Sequence, residues 1–354
     1  MSRFLSERHA ALTPYTPGEQ PKEIKYIKLN TNESPYPPSD KVVAAAHNSA
    51  QQLNLYSDPQ LSELRRAAAK KWNIDEDMLL MTNGSDEILS FAFSAFGDEK
   101  HPFAFPSLTY GFYPVFADLY HIPYKKIPLR KDFSVNPDDY MNLGANIVIA
   151  NPNAPTGLYL NSAEITKIVV SNPDNIVIID EAYIDFGGES VLPLVKKYPN
   201  LLVTRTFSKS YSLAGARLGF GAASPDLIRD MNTIKYSLNP YNVNRMTSAC
   251  GVAAIEDSDY YMSNCKKIIE TREWTKENLS KMGFTLTDSM ANFIFAKSDS
   301  LGGEDYYKKL RERGILVRYF GGEIKDWVRI TIGSRAEMET LIEATADILA
   351  ELKC

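Results

Sequence analysis

The sequence predicts an α/β fold, with a mainly parallel sheet sandwiched by helices and a smaller α+β domain after it. Three observations predict it. Short runs of Ile, Val and Leu are bounded by turn residues, as strands buried on both faces require. Helical patterns lie between these runs, and strand–helix alternation argues for parallel strands under covering helices. After about residue 250 the alternation gives way to a long charged helix and a second set of strands.

In chain order, the first 40 residues are rich in proline, as in "LTPYTPGEQP" and "NESPYPPSD". They read as an extended arm with a short starting helix. Strand candidates follow at "MLLMTN", "HPFAFP", "NIVIAN", "NIVIIDEAY", "LLVTRTFS" and "RLGFGAA", with helical stretches such as "SDEILSFAFSAF" between them. The second part opens with the helix "SDYYMSNCKKIIETREWTKENLSKM" and continues through "NFIFAKS", a helix, "ILVRYFGG" and "WVRITIGS" to a last helix. That helix starts at Ser334 with Glu337 at capping-box spacing. Met338, Leu341, Ile342, Ile348, Leu349 and Leu352 then recur at helical spacing. The expected division is an arm over residues 1–35, a large domain over 36–255 and a small domain over 256–354.

Composition narrows the function. The 354 residues carry a net charge of −5, and the basic residues are scattered, so no nucleic-acid footprint is expected. Three cysteines, Cys250, Cys265 and Cys354, fit no zinc spacing, and none of the four histidines pairs with a Cys or Glu at ligand spacing. A catalytic metal is not expected. The start "MSRFLSERHAALTPY" lacks the apolar core of a signal peptide. No apolar run approaches the roughly 20 residues that span a bilayer, so a cytoplasmic protein is expected, with no membrane partner.

In an open parallel sheet, ligands bind at the carboxyl ends of the strands. "MLLMTNGSDEIL" ends in Gly84, Ser85 and Asp86 at a helix start, where free N–H groups suit a phosphate; the same residues read equally as an ordinary capped helix. "NIVIANPNAPTG" ends in a stiff turn, where Asn153 could hold a ligand oxygen. Asp180 closes the apolar run of "NIVIIDEAYIDF", and Tyr183 can point to the same place. A buried carboxylate needs a positive or hydrogen-bonding partner, and a protonated ring nitrogen would be one; a turn cap is the plainer reading. "LLVTRTFSKSYSLAGARLGFG" offers the hydroxyls of Thr206 and Ser208, the amine of Lys209 and the planar fork of Arg217. A lysine whose surroundings remove its proton can bond a carbonyl carbon, although most lysines are surface residues. Tyr110 in "TYGFYPVF" could stack on a flat ring or simply pack. Together these strand ends offer what pyridoxal phosphate needs: an amine, a carboxylate for the ring nitrogen, a stacking ring and a phosphate cup.

"SKSYSLAGARLG" resembles the lysine segment of fold-type I pyridoxal-phosphate aminotransferases, and "NPNAPTG" and "DEAY" occur in that superfamily's order. The resemblance covers nearly the whole chain and implies a seven-stranded sheet. "LNTNESPYPP", "LYSDPQLSELRRAAA", "TNGSDEIL", "SLNPYNVNR", "NFIFAK" and "VRITIG" are similar to the histidinol-phosphate aminotransferases in particular. At matching positions the resemblance implies Lys209 as covalent anchor and proton shuttle, Asp180 at the pyridine nitrogen, and Asn153 and Tyr183 at the ring oxygen. Tyr110 would stack on the ring. Gly84, Ser85, Asp86, Thr206, Ser208 and Arg217 would hold the phosphate. Tyr56 would reach the cofactor of a neighbouring subunit, which implies a homodimer whose interface the arm joins. Arg329, Arg318, Tyr15 and Asn32 would contact substrate. The chain departs from many relatives at Ala154, where they carry a second asparagine before Pro-Thr-Gly.

The implied reaction interconverts histidinol phosphate and 2-oxoglutarate with imidazole-acetol phosphate and glutamate. Aromatic-amino-acid transamination and decarboxylation of a phosphorylated amino acid are the competing chemistries. A non-catalytic cofactor-binding regulator would carry a DNA-binding module ahead of the domain, where this chain has only a proline-rich arm.

Overall fold

The computed structural model describes residues 2–20 and 26–352. Its centre is a seven-stranded sheet in the order Leu79–Thr82, Gly219–Ala222, Leu201–Thr206, Val177–Asp180, Asn146–Ala150, Phe103–Pro106, Tyr124–Ile127. Every pairing is parallel except the two made by Gly219–Ala222. The mainly parallel sheet expected from the apolar runs is therefore present, and all six strand candidates lie in it. The seventh strand, Tyr124–Ile127, escaped the reading because it is an edge. Its Lys125 and Lys126 are exposed, so no apolar run marks it, and charge on an edge discourages stray pairing.

Successive side chains of a strand face opposite sides. Ile147, Ile149, Val177 and Ile179 thus enter one core, and Val148 and Ile178 enter the other. Helices Ser62–Trp72, Ser162–Ser171 and Arg245–Glu256 pack on the first face, and Ser85–Phe96, Phe112–Tyr120 and Pro225–Leu238 on the second.

A four-stranded antiparallel sheet, ordered Arg318–Tyr319, Trp327–Thr331, Phe293–Ser298, Phe284–Leu286, forms a separate core with the last helix, Arg335–Glu351. The Ser334–Glu337 capping box forms as the spacing required. Leu352 departs from the expected stripe: it lies just past the last helical residue and is 44% exposed. The long helix Ser258–Lys281 belongs to both cores, with Tyr261 in the large one and Ile268 and Leu279 in the small one.

The short starting helix is a 3₁₀ turn, Glu7–His9. Further on, the arm supplies a strand. Ile27–Lys28 pairs parallel with Ile315–Leu316, and Thr331 N–H donates to the Leu29 carbonyl at 2.9 Å. The arm's next residues are thereby held between the small sheet and the ends of the large one.

Candidate active site

Two adjoining cavities open at the carboxyl ends of the parallel strands. The first, about 270 Å³, is lined by Ser85, Asp86, Tyr110, Asp180, Tyr183, Thr206, Ser208, Lys209 and Arg217. Nine residues singled out from separate segments are thus brought to one place. The second, about 390 Å³, holds Tyr15, Asn32, Arg318, Phe320 and Arg329, and shares Tyr110, Tyr183 and Lys209 with the first. Among the described residues, no group of three or more His, Cys, Asp or Glu is gathered to hold a metal ion.

One end of the first cavity is built from backbone. Gly84, at φ +78°, is the N-cap of helix Ser85–Phe96, and no side chain caps that start. Ser85 is the first helical residue rather than the cap, so the N–H groups are free for an anion. A Cβ on Gly84 would lie 2.5 Å from Arg217 Nη2, and one on Gly219 would lie 2.6 Å from the Gly84 carbonyl carbon. Both glycines let the helix start, the antiparallel strand and Arg217 converge. Arg217 is held only by long bonds, 3.4 Å to Ser208 Oγ and 3.4 Å to Asp86 Oδ2. Asp86 also accepts from the Tyr110 hydroxyl at 2.9 Å, so its carboxylate orients both the stacking ring and the arginine.

Asp180 ends its strand 4% exposed. Its two oxygens accept from Tyr113 OH and Thr204 Oγ1, each at 3.0 Å. Burial outweighs these bonds and raises its pKa to about 6, so it gains from a cationic partner. Sequence reasoning missed Tyr113 and Thr204. Their signals were a tyrosine one helical turn beyond Tyr110, and a threonine directly beside Asp180 in the neighbouring strand.

Lys209 Nζ donates to the Thr31 carbonyl at 3.2 Å and lies 5.9 Å from the Tyr183 ring centroid. Burial, reinforced by Arg329 and opposed by Glu33, pushes its pKa down to about 8. Glu33 and Thr31, which also line the cavity, were not anticipated. Burial raises the Tyr183 pKa, which keeps it a phenol.

Two assignments change. Asn153 does not reach the cavity: its amide accepts from Thr109 and donates to the Leu108 carbonyl and Thr156, so it braces the turn. The residue facing the cavity there is Ala154. Asn32 lines the second cavity, but its side chain is committed to Tyr183 and Thr331 rather than open to a ligand. Tyr56 lies outside both cavities, 78% exposed and stacked on Tyr241 with ring centroids 4.5 Å apart.

In the second cavity, Arg318 and Arg329 stand directly opposite in paired antiparallel strands. Like charges so placed repel, which an anion between them would relieve. Arg329 Nη2 donates to the Asn30 carbonyl at 2.9 Å, while its Nε is buried without a partner. Burial chiefly, and Arg318 in part, lower its pKa.

Beneath the site, Arg205 is 6% exposed and paired with Asp185, with Glu181 at 3.9 Å. Ser210 Oγ donates to Asp185 at 2.6 Å, and Ser190 Oγ and the Val191 N–H donate to Glu181. This cluster joins the segment carrying Asp180 and Tyr183 to the segment carrying Lys209.

Fold and site define a transaminating enzyme, and the chain belongs to the aminotransferase class I and II family, whose model matches residues 24–344. A Brachyspira hyodysenteriae relative named histidinol-phosphate aminotransferase is 49% identical, covering 97% of this chain and 98% of its own length. A Clostridium botulinum protein of the same name is 46% identical over 99% of this chain and 100% of its own. The fold is also that of histidinol-phosphate aminotransferase from Sinorhizobium meliloti, solved in complex with pyridoxal-5'-phosphate. That match has a TM-score of 0.85 at 22% identity, covering 93% of this chain and 92% of that one.

The Arg205 cluster makes a stability prediction. Arg205→Met leaves the buried Glu181 and the partly buried Asp185 without their cation, and the expected loss is about 3 kcal/mol in urea denaturation. A loss under about 1 kcal/mol would show that the cluster behaves as an exposed ion pair.

Proposed function

We propose that the protein uses pyridoxal phosphate to exchange an amino group between histidinol phosphate and 2-oxoglutarate, giving imidazole-acetol phosphate and glutamate in histidine biosynthesis. The near full-length likeness to histidinol-phosphate aminotransferases supports the substrate. The observation that carries the reading is the Arg318–Arg329 pair facing a cavity that shares Lys209 with the first. Two guanidinium forks suit a phosphate dianion on one substrate and a carboxylate on the other.

The residues fit the cofactor. Gly84, Ser85, Asp86, Thr206, Ser208 and Arg217 would hold its phosphate, with donors from a helix start and a loosely held guanidinium. When bound, pyridoxal phosphate supplies a conjugated ring that takes up the electrons of a breaking C–H bond. Asp180 keeps a proton on the ring nitrogen, held in aim by Tyr113 and Thr204. Tyr110 covers one ring face. Lys209 Nζ would anchor the cofactor, and with its pKa held down to about 8 it would serve as the base and acid that moves the substrate's proton. Tyr15, packed against Phe112 with ring centroids 4.8 Å apart, walls the substrate cavity.

The working unit in this reading is a cytoplasmic homodimer. Tyr56 and Tyr241 stack beside exposed Leu53, Leu55, Tyr236 and Leu238, an apolar surface that a second copy would cover. Tyr56 would then reach the neighbour's phosphate cup. Among the described residues no helix is long and apolar enough to cross a membrane.

Four outcomes test the reading. Arg318→Gln should raise KM for histidinol phosphate about 10- to 100-fold with a smaller change in kcat, the weight of one charge-assisted bond. A wild-type enzyme that transaminates phenylalanine or tyrosine but not histidinol phosphate would sink the substrate assignment. Capture of pyridoxal phosphate by the apoprotein needs the neutral Lys209 amine. Its rate, followed by visible absorbance, should climb with pH and level off above about 8, whereas a climb continuing past pH 10 would mean an unshifted lysine. Tyr56→Ala should loosen the cofactor while leaving the monomer's thermal unfolding nearly unchanged; unchanged cofactor affinity would remove Tyr56 from the site.

A further inference from the structure

We propose that Asn32 and Thr331 are positioning residues that fix the Tyr183 hydroxyl as a hydrogen-bond donor into the cofactor cavity, and that couple this donor to the strand carrying Arg329. The proposal rests on the cofactor reading above and gives Asn32 a role other than substrate contact.

The polarity of one short chain of hydrogen bonds leads to it. The Asn32 backbone N–H can only donate, and it donates to Thr331 Oγ1 at 2.9 Å. That oxygen is an acceptor in this bond, so the hydroxyl's single proton is left for Asn32 Oδ1, also at 2.9 Å. The two residues therefore lock each other, and the lock orients the amide. Its oxygen faces Thr331 and its nitrogen faces Tyr183 OH, at 3.0 Å. An amide nitrogen has only protons to offer. Tyr183 must accept from it, and the phenol's own proton is left for something else. Among the described residues no acceptor takes that proton, and Tyr183 lines the cavity beside Lys209 and Asp180.

The rest of the turn holds this arrangement rigid. Asn32 is 1% exposed and sits at φ +56°, a left-handed conformation that asparagine tolerates better than most residues. Asn292 Nδ2 donates to the Asn32 carbonyl at 3.0 Å. Thr331 lies two residues beyond Arg329 on the strand Trp327–Thr331, so both project from the same face of it. The guanidinium that grips a substrate anion and the phenol that faces the cofactor are thereby linked through two side chains.

A donor to the cofactor's ring oxygen favours the ionised oxygen, and its loss raises the proton affinity of the lysine-bound cofactor. The charged and titratable groups facing Tyr183 are Arg329 on the small sheet, Asp180 and Lys209 at the strand ends, Asp86 at the helix start, Tyr15 on the arm, and Tyr110 and Tyr113 flanking Gly111. None of them is altered in the variants that interrupt the lock.

The test is a pH titration of the visible band of the purified holoenzyme, in wild type, Thr331→Val, Thr331→Ser, Asn32→Gly, Tyr183→Phe and the Asn32→Gly/Tyr183→Phe double variant. Thr331→Val and Asn32→Gly are expected to raise the apparent pKa by about half to one unit, the weight of one neutral hydrogen bond. Thr331→Ser keeps the hydroxyl and should titrate like wild type. Asn32→Gly should add nothing once the Tyr183 hydroxyl is gone, because its effect passes through that group. Thr331→Val keeps the side-chain shape, and it decides the matter alone if Asn32→Gly fails to fold. Wild-type titration in Thr331→Val, or an equal Asn32→Gly shift with and without the hydroxyl, would overturn the positioning role. A wild-type protein with no visible band after cofactor addition would overturn the cofactor reading itself.

Discussion

Lys209 and Asp180 line one cavity because the segments that carry them leave neighbouring strands, and desolvation acts on both there. Desolvation disfavours whichever form is charged. It therefore moves the two groups in opposite directions on the pH scale, the amine down to about 8 and the carboxyl up to about 6. The same physical cause makes the lysine a usable nucleophile near neutral pH and makes the carboxylate seek a cation. Much of the surrounding architecture manages the cost of that burial. Tyr113 and Thr204 each give Asp180 one hydrogen bond, and the Thr31 carbonyl gives Lys209 an acceptor. Arg205 binds Asp185 and lies 3.9 Å from Glu181 beneath, so the segments that carry Asp180 and Lys209 share one charge cluster.

The departure from a wholly parallel sheet shapes the end of the first cavity at the start of helix Ser85–Phe96. Gly219–Ala222 runs antiparallel between Leu79–Thr82 and Leu201–Thr206, and it brings Arg217 back to the start of helix Ser85–Phe96. Close passage there requires glycine at both 84 and 219, since a methyl at either would meet Arg217 or backbone. The cup is thus made by chain geometry first and side chains second. This explains why the loosely held Arg217 retains donors for a ligand.

What was legible in the sequence follows from what each residue must do locally. Six strands, the edge strand Leu79–Thr82 among them, declare themselves because burial on both faces forces continuous apolar runs, whereas the other edge, Tyr124–Ile127, carries exposed lysines and does not. Lys209, Asp180, Ser85 and Arg217 were legible because strand ends are where an α/β sheet keeps its chemistry. Asn153 was misplaced because two adjacent positions of one tight turn point in opposite directions, and only the fold shows that Ala154 faces the cavity. Thr204 and Tyr113 matter through partners on other elements, and Glu33 and Thr31 arrive from the arm. No local pattern announces such contacts.

The arm, in turn, links the two parts at the site, as the helix Ser258–Lys281 links their cores. Residues 27–33 add contacts at the site to the backbone bond by which Met290 N–H already meets the Gly157 carbonyl, at 2.8 Å. With them, Thr31 touches Lys209, Asn32 touches Tyr183, and Leu29 and Asn32 are bonded to Thr331, two residues from Arg329. An anion drawn between Arg318 and Arg329 therefore acts on a strand already bonded to the turn beneath the amine and the phenol. The two arginines, the Tyr183 phenol and the Lys209 amine thus share one covalent and hydrogen-bonded frame. The arm that reads in sequence as an extended, proline-rich stretch supplies lining residues to both cavities, Thr31 and Glu33 to the first and Tyr15, Asn30, Thr31 and Asn32 to the second.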